Sequence, residues 1–246
     1  MEELLFEIYE SLPRQGPGDA ESTKKAFLKL AELPQNPVIL DIGCGNGSQT
    51  ITLAKLTSGK IIAIDNHAPF IEQLKHKALQ NGYADRILGI VEDMNSLDFP
   101  PACFDLIWSE GAAYIMTFER ALLVWKQLLR HQGYLVISEL VWFKKEAPPE
   151  IKEYWAQEFP DIKHFEQYYA IVENLGYRLI DYFPLPGQSW WTDYYTPVEK
   201  KLAEMKTKYR DNPDANAAFD SFQLEIEMHR KYADYYGYGF YIMQKI

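Results

Sequence analysis

Apolar residues along this chain change their spacing several times, and the changes mark its elements. Leu4, Leu5, Ile8 and Leu12 fall on one helical face and predict an opening helix. Residues 13–19, Pro-Arg-Gln-Gly-Pro-Gly-Asp, cannot continue it and predict a loop. A second amphipathic helix is expected near 20–32, and Pro34 and Pro37 separate it from the first strand. Short apolar runs then alternate with amphipathic stretches: strand 37–42 and a helix near 47–57, strand 60–65 and a helix near 68–81, strand 86–91 and a polar loop. Strand 103–109, a helix near 117–130 and strand 133–141 complete the series. This rhythm predicts right-handed crossovers and a parallel sheet with helices on both faces. After residue 142 the pattern changes. A joint at Ala147-Pro148-Pro149 precedes helices near 150–158 and 163–175 and a strand at 177–183. A stretch rich in Pro, Trp and Tyr runs from Pro184 to Pro197, two charged helices are expected near 197–210 and 214–233, and the chain closes in a strand from Tyr238.

The first strand carries the chemistry. Val38 to Gly47 reads Val-Ile-Leu-Asp-Ile-Gly-Cys-Gly-Asn-Gly, an apolar run that ends in an acid and breaks into alternating glycines. Gly43, Gly45 and Gly47 let the backbone bend sharply and approach a ligand closely. A helix begins near Ser48, so its free amides and positive dipole end point into the turn. This is the architecture of a nucleotide or nucleoside site. The dinucleotide fingerprint would place a third glycine where Ser48 stands, and no lysine follows the last glycine as a phosphate loop requires. Asp41, just ahead of the turn, repels a pyrophosphate and suits a ligand carrying positive charge. Cys44 reads as a small residue packed within the turn.

Asp-x-Gly-x-Gly-x-Gly resembles the first motif of the class I S-adenosylmethionine-dependent methyltransferases, and the whole-chain pattern, with Trp-Ser-Glu-Gly-Ala and Ser138-Glu139-x-x-Trp142-Phe143, is similar to uncharacterised bacterial small-molecule enzymes of that superfamily. The resemblance implies an α/β, doubly wound Rossmann-like sheet of seven mostly parallel strands. Its last strand is antiparallel, with N-terminal helices in front and a helical cap inserted before that strand. The division expected is residues 1–35 as N-terminal helices and lid loop, 36–183 with 237–246 as the core, and 184–236 as the cap.

Site residues are expected at the strand ends, where open α/β sheets collect ligands. Asp65 ends the second strand, and a carboxylate there accepts both ribose hydroxyls, with Asn66 beside it; the same acid also suits NAD. The resemblance assigns Asp93 to the exocyclic amine of adenine and Met94 to the ring edge. It also gives the loop Arg14-Gln15-Gly16 to the cofactor carboxylate or an acidic substrate. Asp41, Gly43, Cys44, Gly45, Gly47 and Ser109 complete the expected cofactor set. Glu110 is expected at the reacting end, as cofactor ligand or general base, with Tyr114 and His164 as further catalytic candidates. The Asn/Asp-Pro-Pro-Tyr/Phe motif of enzymes that methylate amino groups of bases is missing after the fourth strand. Trp142, Trp190, Trp191 and Tyr194 are expected walls of the acceptor pocket.

Composition narrows the partners. The chain has 246 residues and a net charge of −10, which disfavours a nucleic acid held by phosphate contacts and leaves a small molecule as the default substrate. Thirteen of its 17 tyrosines lie beyond residue 150, either as a second apolar cluster or as an aromatic lid over a cationic ligand. Cys44 and Cys103 are too few for a disulfide framework, no His/Asp/Glu group has metal-ligand spacing, and no metal is expected. No apolar run reaches membrane-spanning length and the N-terminus lacks signal-peptide character, so a cytoplasmic protein is expected, with a homodimer left open. Two other readings stand beside methyl transfer: an NAD-dependent oxidoreductase, against which Ser48 counts, and a non-catalytic S-adenosylmethionine-binding protein.

Overall fold

A computed structural model describes residues 2–246. The first five strands are β1 (Val38–Ile42), β2 (Lys60–Asp65), β3 (Ile87–Val91), β4 (Phe104–Glu110) and β5 (Leu129–Trp142), followed by the two-residue β6 (Lys163–His164), β7 (Tyr177–Pro184) and β8 (Tyr236–Lys245). They form one sheet in the order β3-β2-β1-β4-β5-β8-β7, with β6 paired to the end of β5. Strands β1 to β5 run parallel, and β8 inserts antiparallel between β5 and β7. The seven principal strands and the antiparallel last strand are as the sequence predicts; the short β6 is an addition.

Side chains alternate across each strand and so split the core. Ile39, Ile61, Leu106 and Val136 are buried on one face, while Leu40, Ile107, Leu135 and Ile137 are buried on the other. Burying each such side chain stabilises the fold by about 1.5–3 kcal/mol. The first face is covered by α1 (Glu2–Tyr9), α2 (Ala20–Phe27), α3 (Ser48–Leu56) and α4 (Ala68–Gln80). The second is covered by α5 (Phe118–Trp125), which sends Phe118, Leu122 and Trp125 inward, and by residues 165–174.

Beyond β5 the helices are α6 (Pro149–Glu158), α7 (Phe165–Asn174), the single turn α8 (Gln188–Trp190), α9 (Thr196–Lys208) and α10 (Pro213–Tyr232). Between α8 and α9 the stretch Trp191–Tyr195 is π-helical, so the Trp- and Tyr-rich segment is a wound, packed element. No helix among the described residues is long and apolar enough to cross a membrane.

The strand order fixes where a ligand can sit. Connections run from β1 towards β2 and β3 on one side and from β4 towards β5 on the other, so the crossovers part between the carboxyl ends of β1 and β4. The chain leaves β1 through Gly43 and Gly45 at φ of 68° and 53°, and Gly47 caps α3 at φ 84°. A Cβ on Gly43 would lie 2.4 Å from the Cβ of Ala112, and one on Gly47 would lie 2.2 Å from Leu74 Cδ1. Glycine is therefore required here twice over, by conformation and by space.

Candidate active site

A cavity of about 450 Å³ opens at these strand ends. The turn after β1 supplies Gly43, Cys44 and Gly45, the end of β2 supplies Asp65 and Asn66, and the loop after β3 supplies Asp93 and Met94. The end of β4 adds Glu110 and Gly111, a 3-10 turn at Ala113–Met116 adds Tyr114, and the loop before α2 adds Arg14, Gln15 and Gly16.

Asp65 ties the cavity floor together. One carboxylate oxygen accepts from the Gly45 amide at 2.9 Å and the other from the His67 amide at 3.0 Å. Burial raises its pKa and those amides pull it back. Each oxygen keeps a further lone pair, which is what a vicinal diol needs. Asp93 lies exposed at the rim, where the amide and side chain of Asn95 donate to it at 2.9 Å and lower its pKa.

The loop at 13–18 straps onto the glycine turn. Asn46 Nδ2 donates to the carbonyls of Leu12 and Pro13, each at 3.0 Å, and the Asn46 amide donates to Gln15 Oε1 at 2.8 Å. Arg14 is held from beneath by Glu110, which also accepts from Thr23 Oγ1 at 2.7 Å and Trp108 Nε1 at 2.8 Å. The Glu110 side chain is 1% exposed. This geometry corrects the expectation of a general base: both oxygens are already committed to Arg14, Thr23 and Trp108, so Glu110 positions Arg14.

Other expected residues also lie elsewhere. Asp41 does not line the cavity. It is fully buried, accepts from Thr50 Oγ1 at 2.6 Å and Gln49 Nε2 at 3.4 Å, and burial pushes its pKa up to about 7. Gln49, which donates to it, does line the cavity. Gly47 shapes the turn from behind, and Ser109 is buried in β4 with its hydroxyl unpartnered. His164 and Trp142 line a separate surface depression with Lys144, Lys145 and Lys152. Trp190 is 3% exposed and stacks on His229 at 4.1 Å, Trp191 packs under Arg230, and Tyr194 is buried. These aromatics are core beneath the C-terminal helices, because ring-on-ring packing removes more surface than a wet wall does.

The cavity also holds residues that the sequence pattern does not flag. Phe6 and Tyr9 of α1, Phe70 of α4, Gln49 and Ile115 all line it. Phe6 stacks on His67 with centroids 3.7 Å apart, which docks α1 over the opening. Nothing lies within 4 Å of a Cβ built on Gly16, so the cavity runs directly past that backbone. Among the described residues, no group of three His, Cys, Asp or Glu side chains could hold a metal ion.

Comparison with known proteins gives this geometry a setting. The sequence model of a family described as "Methyltransferase domain" matches residues 34–201. A SAM-dependent methyltransferase from Thiobacillus denitrificans, crystallised with S-adenosyl-L-homocysteine, superposes with a TM-score of 0.83 at 21% identity and 98% coverage of both chains. One from Geobacter sulfurreducens, also with S-adenosyl-L-homocysteine, gives 0.82 at 20% identity and 98% coverage of both. Identity at this level speaks to the fold. Among curated proteins, a ribosomal protein arginine N-methyltransferase of Schizosaccharomyces pombe is 36% identical over 81 residues, covering 33% of this chain and 15% of that protein. A sterol 24-C-methyltransferase of Eremothecium gossypii is 26% identical over 112 residues, covering 45% of this chain and 30% of that protein. The chain thus spans less than a third of either curated relative.

Proposed function

The chain belongs to the methyltransferase domain family, and from that premise we propose that it transfers a methyl group from S-adenosyl-L-methionine to a small-molecule acceptor, leaving S-adenosyl-L-homocysteine. The observation that carries this reading is the sequence of groups along one cavity: a glycine turn, then Asp65, then Asp93 and Met94, with Arg14 and Tyr114 at the other end. The donor set fits the cofactor. A diol needs two acceptor oxygens and finds them on Asp65, while an amino acid carboxylate needs a cation and finds Arg14.

When bound, S-adenosylmethionine supplies an electrophilic methyl group on a sulfonium. The chain's own part is alignment and the exclusion of water. Gly43 and Gly45 keep the floor free of side chains, Asp65 fixes the sugar, and Asp93 with Met94 flanks the base. Arg14, steadied by Glu110 and Thr23, orients the amino acid end. Helix α1 and the 13–18 strap roof the cavity, and Tyr9 and Tyr114 border the space left for an acceptor.

Calorimetry with S-adenosyl-L-homocysteine tests the reading. Two charged hydrogen bonds to a diol contribute together about 3 kcal/mol, so Asp65→Ala should weaken binding about a hundredfold with the fold intact. Unchanged affinity removes Asp65 from the site. A thermal shift with NAD and none with S-adenosylhomocysteine would favour the oxidoreductase reading instead.

A further inference from the structure

Tyrosines gather at the acceptor end of the cavity. Tyr9 and Tyr114 line it, and the Tyr238 hydroxyl would lie 3.5 Å from a Cβ built on Gly111, another lining residue. Phe222 of α10 meets the Tyr9 ring edge-on with centroids 5.7 Å apart. Glu225 follows Phe222 by three positions and so shares its helix face. The Glu225 carboxylate accepts from the Tyr195 hydroxyl at 2.8 Å, and no Lys or Arg pairs with it among the described residues. Tyr9, Tyr114, Tyr238 and Glu225 all retain accessible surface, unlike the neighbouring core residues Tyr195 and Tyr236.

The charges along the cavity as a whole are one-sided. Asp65, Glu92, Asp93 and Glu110 line the cavity, and its single lining cation, Arg14, is already paired with Glu110. We propose that the tyrosine-walled end is an acceptor subsite for an organic ammonium group, with Glu225 as its counter-charge; this rests on the methyl-transfer reading above. Ring faces carry the negative part of the aromatic quadrupole and attract a cation. An anionic acceptor meets repulsion from both the rings and the carboxylate. A neutral apolar acceptor satisfies the rings and leaves the Glu225 carboxylate without a counter-charge. Burial raises the pKa of Glu225, as expected of a carboxylate in want of a cation.

Titration of the full chain, saturated with S-adenosylhomocysteine, with n-hexylammonium, n-hexanol and n-hexanoate tests the proposal. Hexylammonium should bind about tenfold more tightly than hexanol, and hexanoate more weakly than either. Glu225→Gln should abolish that preference while S-adenosylhomocysteine affinity, which reports the fold, stays unchanged. Tyr9→Leu, which removes a ring and no charge, should weaken hexylammonium more than hexanol. Equal binding of hexylammonium and hexanol, or a preference that survives Glu225→Gln, overturns the subsite while leaving the methyl-transfer reading in place. Failure of the wild-type protein to bind S-adenosylhomocysteine overturns the methyl-transfer reading and this one with it.

Discussion

Carboxylates buried near the cavity are held in different ways, and each way predicts a different response. Glu110 is paired with Arg14 and accepts from Thr23 and Trp108, so its charge is fully compensated. Glu110→Ala strands the guanidinium and two other donors, and should lower stability by about 3–5 kcal/mol in urea unfolding. Glu139 is the opposite case. Its Oε1 accepts from the Leu140 amide at 2.9 Å, its Oε2 has no partner, and burial pushes its pKa from 4.5 up to about 8. Between those values the folded chain holds a proton that the unfolded chain has released, so this residue's contribution to stability falls as pH rises. Glu139→Gln stays neutral throughout. Its stability relative to wild type should therefore grow from pH 5 to pH 8, measured as the difference in unfolding free energy at each pH. A difference that is constant with pH would mean that Glu139 titrates normally.

The strap at 13–18 is an element with no regular structure, and its order comes from ties to the rest of the fold, those of Asn46 and of Glu110 among them. Asn46→Ala removes one donor from each of the Leu12 and Pro13 carbonyls, the latter keeping the Ser48 hydroxyl at 2.8 Å, and should cost about 1–3 kcal/mol. Stopped-flow release of S-adenosylhomocysteine should quicken in the same variant. Such ties are invisible in sequence, because Asn46 and Leu12 belong to different patterns and meet only in the fold. The alternating strands and helices are legible, since apolar runs such as Ile61-Ile-Ala-Ile64 and glycines at positive φ are local signals. The glycine turn and Asp65 are legible as cavity residues for that reason, whereas Asp93, Met94 and Arg14 are legible only through the family resemblance. Phe6, Tyr9 and Gln49 are not, as their place depends on where α1 docks and which way α3 turns. Local pattern also overruns helix ends. Helix α2 stops at Phe27, well short of 32, and leaves Leu28 68% exposed, while α5 stops at Trp125. The aromatic run at 190–195 misleads as to the pocket because composition does not distinguish a ring buried in a core from one facing a ligand.

At the scale of the whole molecule, β8 holds the second half of the sheet together. It pairs with β5 from Tyr134↔Gln244 to Trp142↔Tyr236 and with β7 on its other side. Deleting residues 236–246 would leave β5 and β7 with unpaired edges and strip Phe240 and Ile242 from the core. The shortened chain should aggregate and show no cooperative melt by circular dichroism; a sharp transition would count against this role. The same pairing sets the terms on which residues 185–235 leave the sheet. Pro184 and Gly239 sit opposite one another, so that excursion departs and returns one strand spacing apart. Trp190, Val198 and Phe219 of the excursion share one core with the sheet, so it is the loops between its helices that can drift without moving any strand. If the acceptor is held as proposed, a lineage built on this scaffold can rewrite those loops and with them its choice of acceptor, while inheriting the glycine turn unaltered.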